Sequence, residues 1–404
     1  MITFAYQARD NGGKILSGVI ESVSQDNAIS NLMSRGLMVL SIQQKAQGKK
    51  LSSKFLSPKE TDLVIFTRQL ATMVDAGLPL VTGLSALFEQ MDPKKQKAMH
   101  TITAELIASV QGGDQFNQAV AKFPNAFSRL YIAMVRAGES GGLLSEILDR
   151  LAAFLEASAR LKKKVKSAMT YPAVVICIAL GISLFLVMKV VPVFAEIFAD
   201  FGSQLPGPTQ VLINISDFLR AYWYILFGVI GAVYYALKSW LKTPSGRETW
   251  DKWCLKMPIF GPLIHKICMS RMARTFAQMI RSGVPILETL EIIAETSGNV
   301  MVEKAIRRTS ILVEKGDPLA TSLAKEPIFP PMLLRMVSAG EATGKIDSML
   351  EKMADFWDEE IEALLDALTS LIEPLLIVFL GAIVGFIVFA LFLPIFKLSD
   401  VVSK

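Results

Sequence analysis

The sequence predicts a mainly α membrane protein: two tandem-repeat cytoplasmic six-helix bundles, three transmembrane helices and a small α+β module at the N-terminus. Three observations carry that prediction. One block of helical punctuation occurs twice, three apolar runs approach or exceed the length of a bilayer span, and basic residues flank those runs on one side only. The chain is 52% hydrophobic, and because this apolar content is gathered into a few runs it points to spans rather than to one large soluble core.

The first element is the N-terminal module, residues 1–45. Thr3–Arg9 and Ile15–Val23 alternate like strands around Asp10-Asn11-Gly12-Gly13, a hairpin turn. Asp26–Arg35 predicts a short helix stopped by Gly36, and Leu37–Ile42 a third strand, giving a ββαβ-like order. Residues 46–57, with Gly48-Lys49-Lys50 and three serines, form a linker. Met1–Asp10 has neither a basic n-region nor an apolar h-region, so no cleavable signal peptide is expected and targeting falls to the internal spans.

A repeat organises the rest of the chain. Residues 66–87, FTRQLATMVDAGLPLVTGLSAL, align with residues 272–293, MARTFAQMIRSGVPILETLEII. Arg68/Arg274, Gly77/Gly283, Pro79/Pro285 and Leu84/Leu290 are identical at an offset of 206. At an offset of 202, Gly138-Glu139 with Gly142 matches Gly340-Glu341 with Gly344, and Pro172 matches Pro374. The two copies run in the same orientation, each a helical body leading into an apolar span.

Within the first copy, residues 58–170, Ser57-Pro58-Lys59-Glu60 predicts a capping box with proline at the first helical position, and Gly77 a left-handed stop. Leu63, Phe66, Leu70, Met73 and Val74 recur at helical spacing and give one apolar face. Pro79 and Asp92-Pro93 begin the next two helices, and Gly112-Gly113-Asp114 and Phe123-Pro124 break the chain again. A long helix from Leu143 to Lys166 runs towards the membrane. The second copy occupies residues 238–372.

Ala173–Val191 gives the first span, and its nineteen residues reach ~28 Å. Ala221–Leu237 is at the short limit for a span, and Pro374–Phe396 is comfortably long. Arg160, Lys162, Lys163, Lys164 and Lys166 precede the first span, whereas the loop 192–218 holds no Lys or Arg. Lys238, Lys242, Arg247 and Lys252 come after the second span. The positive-inside rule then places both bodies and the N-terminus in the cytoplasm, with the loop 192–218 and the tail 397–404 outside. Both copies run body-then-span in parallel, so the second body returns to the cytoplasm only if a further helix crosses back. Ala221–Leu237 is the only candidate for that crossing. Acidic Glu362, Asp366 and Glu373 before the third span oppose its direction, although acidic residues count little in the rule.

Residues that carry chemistry are few. Gly138-Glu139-Ser140-Gly141-Gly142 fits the nucleophile-elbow pattern, but its flanks are helical and its twin, Gly340-Glu341-Ala342-Thr343-Gly344, has no serine. A helix–turn–helix joint is the plainer account, with glycine for the turn and Glu139 or Glu341 capping or pairing. These two carboxylates also stand as candidates for a hard cation if others converge on them. Gly340–Lys345 is one residue short of a phosphate loop, and Ile346 stands where Ser or Thr is needed. Cys254, His265 and Cys268 lack the paired spacing of a zinc site, and three cysteines in all give no disulfide framework. No cofactor is therefore expected, and the chain does not read as an enzyme. A net charge of +5, from 42 basic and 37 acidic residues, is too mild and too dispersed for a nucleic-acid partner.

Three further features stand out. Arg68 and Arg274, repeated in both copies, either meet an acidic partner surface or are solvated helix residues. Glu373 and Pro374 mark the membrane edge of the third span, and Gly381-x-x-x-Gly385 is a small-residue face suited to packing against another helix.

Together these segments resemble the type II secretion F and type IV pilus inner-membrane platform family. FTRQLATMVDAGLPL at 66–80, VRAGESGGLL at 135–144, FAQMIRSGVPILETL at 276–290, SAGEATGKID at 338–347 and EPLLIVFLGAIVGFIVFALFLPIF at 373–396 carry the resemblance. It implies a platform in the bacterial inner membrane, forming a homo-oligomer (a dimer or higher). On its cytoplasmic side it would hold a hexameric assembly ATPase, and it would contact pilin or pseudopilin subunits, other inner-membrane assembly components and membrane lipid. A small transporter or channel is the competing reading. It calls for inverted repeats or polar-lined spans, neither of which this sequence offers.

Overall fold

The computed structural model describes residues 2–9, 15–22, 38–44, 56–194 and 207–402, with Ile29 and Met33. The expected hairpin turn at 10–13 lies outside the described residues, as do most of the helix 26–35 and the linker up to residue 55. The loop over 195–206 and the last two residues do so as well.

The N-terminal unit contains a three-stranded sheet of order β2-β1-β3, with β1 Ile2–Arg9, β2 Ile15–Ser22 and β3 Met38–Gln44. Both pairings are antiparallel; Ile2 faces Ser22 and Arg9 faces Ile15. Between Gln7 and Ala8 the register against β3 shifts, a bulge that bends the strand locally.

The larger unit is helical. In the first copy α1 is Glu60–Asp75, α2 Leu80–Gln90, α3 Lys97–Gln111, α4 Phe116–Ala121, α5 Arg129–Gly141 and α6 Leu144–Phe185. The capping box expected at 57–60 does not form. Lys59 is extended at φ −66°, ψ 143°, no side chain caps α1, and the helix starts at Glu60. The Ser57 hydroxyl, the expected cap, points instead to the Asn125 carbonyl at 3.5 Å. The Glu60 carboxylate takes the Lys162 ammonium at 2.5 Å instead of reaching back.

Helix α7 spans Gly207–Trp240 and α8 Pro244–Lys256, the latter capped by Thr243 Oγ1 accepting from the Gly246 N–H. The second copy comprises α9 Phe260–Arg281, α10 Ile286–Thr296, α11 Val300–Glu314, α12 Leu319–Ala324, α13 Pro331–Thr343 and α14 Ile346–Val402. Equivalent positions bury equivalent side chains. Leu70, Leu84 and Leu87 are buried in the first copy, as are Phe276, Leu290 and Ile293 in the second. Each such side chain contributes roughly 1.5–3 kcal/mol on leaving water.

Among the described residues, three helices are long and apolar enough to cross a membrane, over Leu144–Phe194, Gly207–Trp240 and Ile346–Leu393. Pro172 and Pro374 do not interrupt them. Helix α6 runs through Pro172, makes one π turn at Leu186–Val190 and stays helical to residue 194, while α14 runs through Pro374. An internal proline removes one backbone hydrogen bond and bends the helix. Ending the helix in hydrocarbon would strand several backbone groups, so the ladder continues.

Within the expected loop 192–218, residues up to 194 are helical and α7 begins at Gly207, ahead of the apolar run. Its first turns are held by burial of Thr209 and Leu212. Thr209 Oγ1 donates to the Ala390 carbonyl at 2.6 Å, and Leu212 packs with Val187, Val191, Ile387 and Leu391. The middle span thereby gains length that its hydropathy alone does not reveal.

Candidate functional site

The repeated Gly-Glu-x-x-Gly motif builds a joint between two helices. In the first copy α5 ends at Gly142, whose φ of +68° is the left-handed stop, and the Leu143 N–H returns to the Gly138 carbonyl at 2.8 Å. In the second copy Gly344 has φ +68° and the Lys345 N–H returns to Gly340 at 2.9 Å. Gly138 and Gly340 serve close approach. A Cβ on Gly138 would lie 2.8 Å from Ile147 Cβ, and one on Gly340 would lie 2.8 Å from Ile346 Cα.

The glutamates complete the joint. Glu139 accepts from the Phe116 and Asn117 N–H groups at 2.7 and 3.0 Å, and Glu341 from Leu319 and Ala320 at 2.9 and 3.2 Å. Each carboxylate therefore closes the start of a short helix, α4 or α12, satisfying orphan donors at the positive end of its dipole. The oxygens considered for a cation face N–H donors instead. Among the described residues no three His, Cys, Asp or Glu side chains converge on one point. Ser140 lies inside α5, with no strand before it to form a nucleophile elbow. Ser140→Ala is expected to leave both the melting temperature and assembly activity at wild-type values; a loss of activity with an unchanged melt would make the hydroxyl a working group.

Gly77 and Gly283 end α1 and α9 at φ +83° and +76°, and Pro79 and Pro285 stand next as N-caps of α2 and α10. These four positions fix the same helix–turn–helix corner in both copies.

Arg68 and Arg274 are each engaged in ion pairs within their own copy of the repeat. Arg68 Nε donates to Glu156 at 2.6 Å and its Nη1 to Asp149 at 2.5 Å. Arg274 Nη2 donates to Asp358 at 2.6 Å and Asp355 at 2.9 Å. Glu156 and Asp358 are themselves repeat equivalents, at the offset of 202. The pair thus locks the first helix of each body to its membrane-bound helix, α1 to α6 and α9 to α14.

The hydrogen bond from Arg68 holds the Glu156 carboxyl below its ordinary range, against the opposing effect of partial burial. A group whose folded pKa is depressed stabilises the fold above its unfolded pKa and loses that contribution as pH falls through the folded value. Acid titration of the purified chain should accordingly show a stability loss, setting in below the ordinary glutamate pKa, that Glu156→Gln removes. An identical acid profile in the variant would refute the linkage.

The two bodies meet through a charged face. Arg129 pairs with Glu295 and, at 3.5 Å, with Glu291, while Arg136 pairs with Glu288. Arg150 Nη1 donates to the Arg281 carbonyl at 2.9 Å, and Arg281 itself pairs with Asp347 and Glu351. Nearer the membrane, Leu161, Val165 and Ala168 of α6 pack with Ile361, Leu365 and Leu368 of α14. The Lys164 ammonium meets Glu362, and Lys266 meets Glu360 at 2.7 Å. Glu362, one of the acidic residues ahead of the third span, is thus paired with a lysine that precedes the first.

Burial raises the Cys268 thiol to about 11, and His265 Nε2 lies 2.7 Å from the Ile328 carbonyl. Both have structural surroundings. In the spans, Glu373 is exposed, and side chains added at Gly381 or Gly385 would meet nothing within 4 Å. Arg220 carries no motif that singles it out, yet its Nε donates to the Met188 carbonyl at 2.9 Å, inside the π turn.

A family model described as type II secretion system protein F matches the chain twice, over residues 66–192 and 272–394, and these are the two repeat copies. The chain belongs to the protein F family. A second model, the N-terminal domain of protein F, matches residues 1–43. Relatives span nearly the whole chain. The type IV pilus assembly protein PilC of Myxococcus xanthus is 42% identical over 403 residues, covering 99% of this chain and 96% of that protein. PilC of Thermus thermophilus is 42% identical over 408 residues and covers both chains completely. The type II secretion system protein F of Pseudomonas aeruginosa is 34% identical over 415 residues, again with full coverage of both. The duplicated protein F domain coincides with the duplicated Arg seam and Gly-Glu joint.

Proposed function

We propose that this chain is an inner-membrane platform for assembly of type IV pili, or of the related secretion pseudopilus, and that it works by holding partners. The carrying observation is that the family domain occurs twice, each time as a helical body continuous with its own membrane helix. Pilus relatives run from 33% to 42% identical and secretion relatives from 31% to 34%, so the two ranges overlap.

In this reading each copy is a cytoplasmic helical body: six helices, α1 to α6, serve 58–170, and the expected six become seven over 238–372 because α8 precedes the repeated unit. The 1–45 module is ββαβ-like and also cytoplasmic, and the segment 192–218 faces the periplasm. The bodies offer a docking surface to a hexameric assembly ATPase, and the spans contact pilin subunits and other inner-membrane assembly components. Arg68, Arg274 and the glycine–glutamate joints keep each body in register with its span instead of touching the ATPase. Deletion of the gene should abolish filaments, and the full chain extracted in mild detergent should recover the ATPase. Normal filaments in the deletion strain, or reporter fusions placing residues 240–370 across the membrane from residues 58–165, would refute the platform.

A homo-oligomer fits the open Gly381/Gly385 face, since small residues with no neighbour in their own chain suit a second helix. Gly381→Leu is expected to reduce the mass of the detergent-solubilised complex; an unchanged mass places the contact elsewhere.

A further inference from the structure

Where the two bodies approach the membrane, a cavity of about 660 Å³ opens between α6 and α9. Its inner wall is apolar, with Leu161, Val165 and Ile267, and its rim is charged. Of the four basic residues lining it, Lys162 is paired with Glu60 and Arg274 with Asp358, both of which also line the cavity. Lys166 and Arg271 have no acidic partner within 4 Å among the described residues, so the rim carries a surplus of two positive charges. A buried polar atom is also unspent: the Thr275 hydroxyl lines the cavity, is fully buried and makes no hydrogen bond. Buried hydroxyls are rarely left without a partner unless something else supplies one.

The decisive feature is continuity. Lys166 and Met169 line this cavity and also a second, almost wholly apolar groove of about 450 Å³ along the start of the first span, past Ala173, Val174 and Cys177. A chamber with an apolar wall and a positively charged rim thus leads directly onto an apolar trough. A soluble anion would use only the chamber, and a neutral hydrocarbon only the trough.

We propose that this surface binds one anionic phospholipid, with its phosphate at Lys166 and Arg271 and an acyl chain lying along Met169 and Val174. The inference needs only that α6 enters the membrane near residue 173, and it stands apart from the platform reading. A bound lipid would wedge between the first body and the second, so lipid composition would bear on how the bodies are held together.

The test uses the full chain in detergent, titrated with phosphatidylglycerol, phosphatidylcholine or inorganic phosphate and read by native mass spectrometry and thermal melting. Phosphatidylglycerol should bind at one molecule per chain and raise the melting temperature, with phosphatidylcholine much weaker. Each basic residue is worth roughly fivefold in affinity for an anionic lipid, so Lys166→Gln with Arg271→Gln should weaken phosphatidylglycerol by about twenty-five-fold and phosphatidylcholine far less. Lys166→Arg should retain binding. Equal binding of the two lipids to the wild-type chain would overturn the proposal without recourse to any variant. So would equal protection by inorganic phosphate, or undiminished preference in the double variant.

Discussion

Gly340→Ala is expected to lower the stability of the chain by about 1–2 kcal/mol, and Gly340→Val by about 3 kcal/mol. Two effects of opposite sign compete. Alanine in a helix interior is favoured over glycine by about 1 kcal/mol, so propensity alone predicts stabilisation. Against this, the new Cβ would sit 2.8 Å from Ile346 Cα and 3.2 Å from its N, both backbone atoms that cannot rotate away. Overpacking of this kind costs about 1–3 kcal/mol, and relief requires α13 and α14 to separate. Valine adds two γ carbons and gives up the propensity gain. Gly138→Ala should behave alike, though its obstacle is the Ile147 side chain at 2.8 Å, which yields more readily than backbone. Gly381→Ala, with nothing within 4 Å to oppose the propensity gain, is the control and should not lower the melt of the single chain. Thermal melts of the purified variants decide the matter, and a Gly340→Ala chain as stable as wild type would show that the joint has slack to absorb a methyl group.

The second large effect is expected from Arg274→Met, at about 2–3 kcal/mol. The Arg274 side chain is only 15% exposed and Asp358 23%, whereas Asp355 is 61% exposed. Removing the cation strands Asp358 in partial burial, with only the Ser270 hydroxyl still donating to it at 2.5 Å. An uncompensated buried charge costs about 3–5 kcal/mol, and the figure is reduced here because one partner is largely solvated. Arg68→Met should cost less, since Arg68 is 34% exposed and Asp149 64%. Adding Asp358→Asn should recover part of the Arg274→Met loss, which a double-mutant cycle measures directly. Strict additivity would mean that the pair contributes nothing as a pair.

The repeat, the helix corners at Gly77 and Gly283 and the three apolar helices were legible in the sequence, because glycine, proline and hydropathy act locally. The features that escaped were set by distant neighbours. Nothing in the local pattern distinguished Arg68 as a seam residue from Arg68 as a solvated one. Its partner lies 88 positions away, and the usable signal was the paired acidity of Glu156 and Asp358 at the repeat offset. The carboxylates of Glu139 and Glu341 were expected to cap or pair, but which helix each would cap depended on tertiary packing. The early start of α7 was hidden because Thr209 and Ser216 are polar by type, and only their burial in the folded chain holds these turns in place.

Each body shares one unbroken rod with its span. Helix α6, at 42 residues, is about 63 Å long, so a lean of about ten degrees at one end displaces the other by roughly 10 Å. Pro172 in α6 and Pro374 in α14 stand where body and span join, and there the helix lacks one backbone hydrogen bond without ending. A push received by a body therefore divides between bending at that proline and tilt of the span within the bilayer.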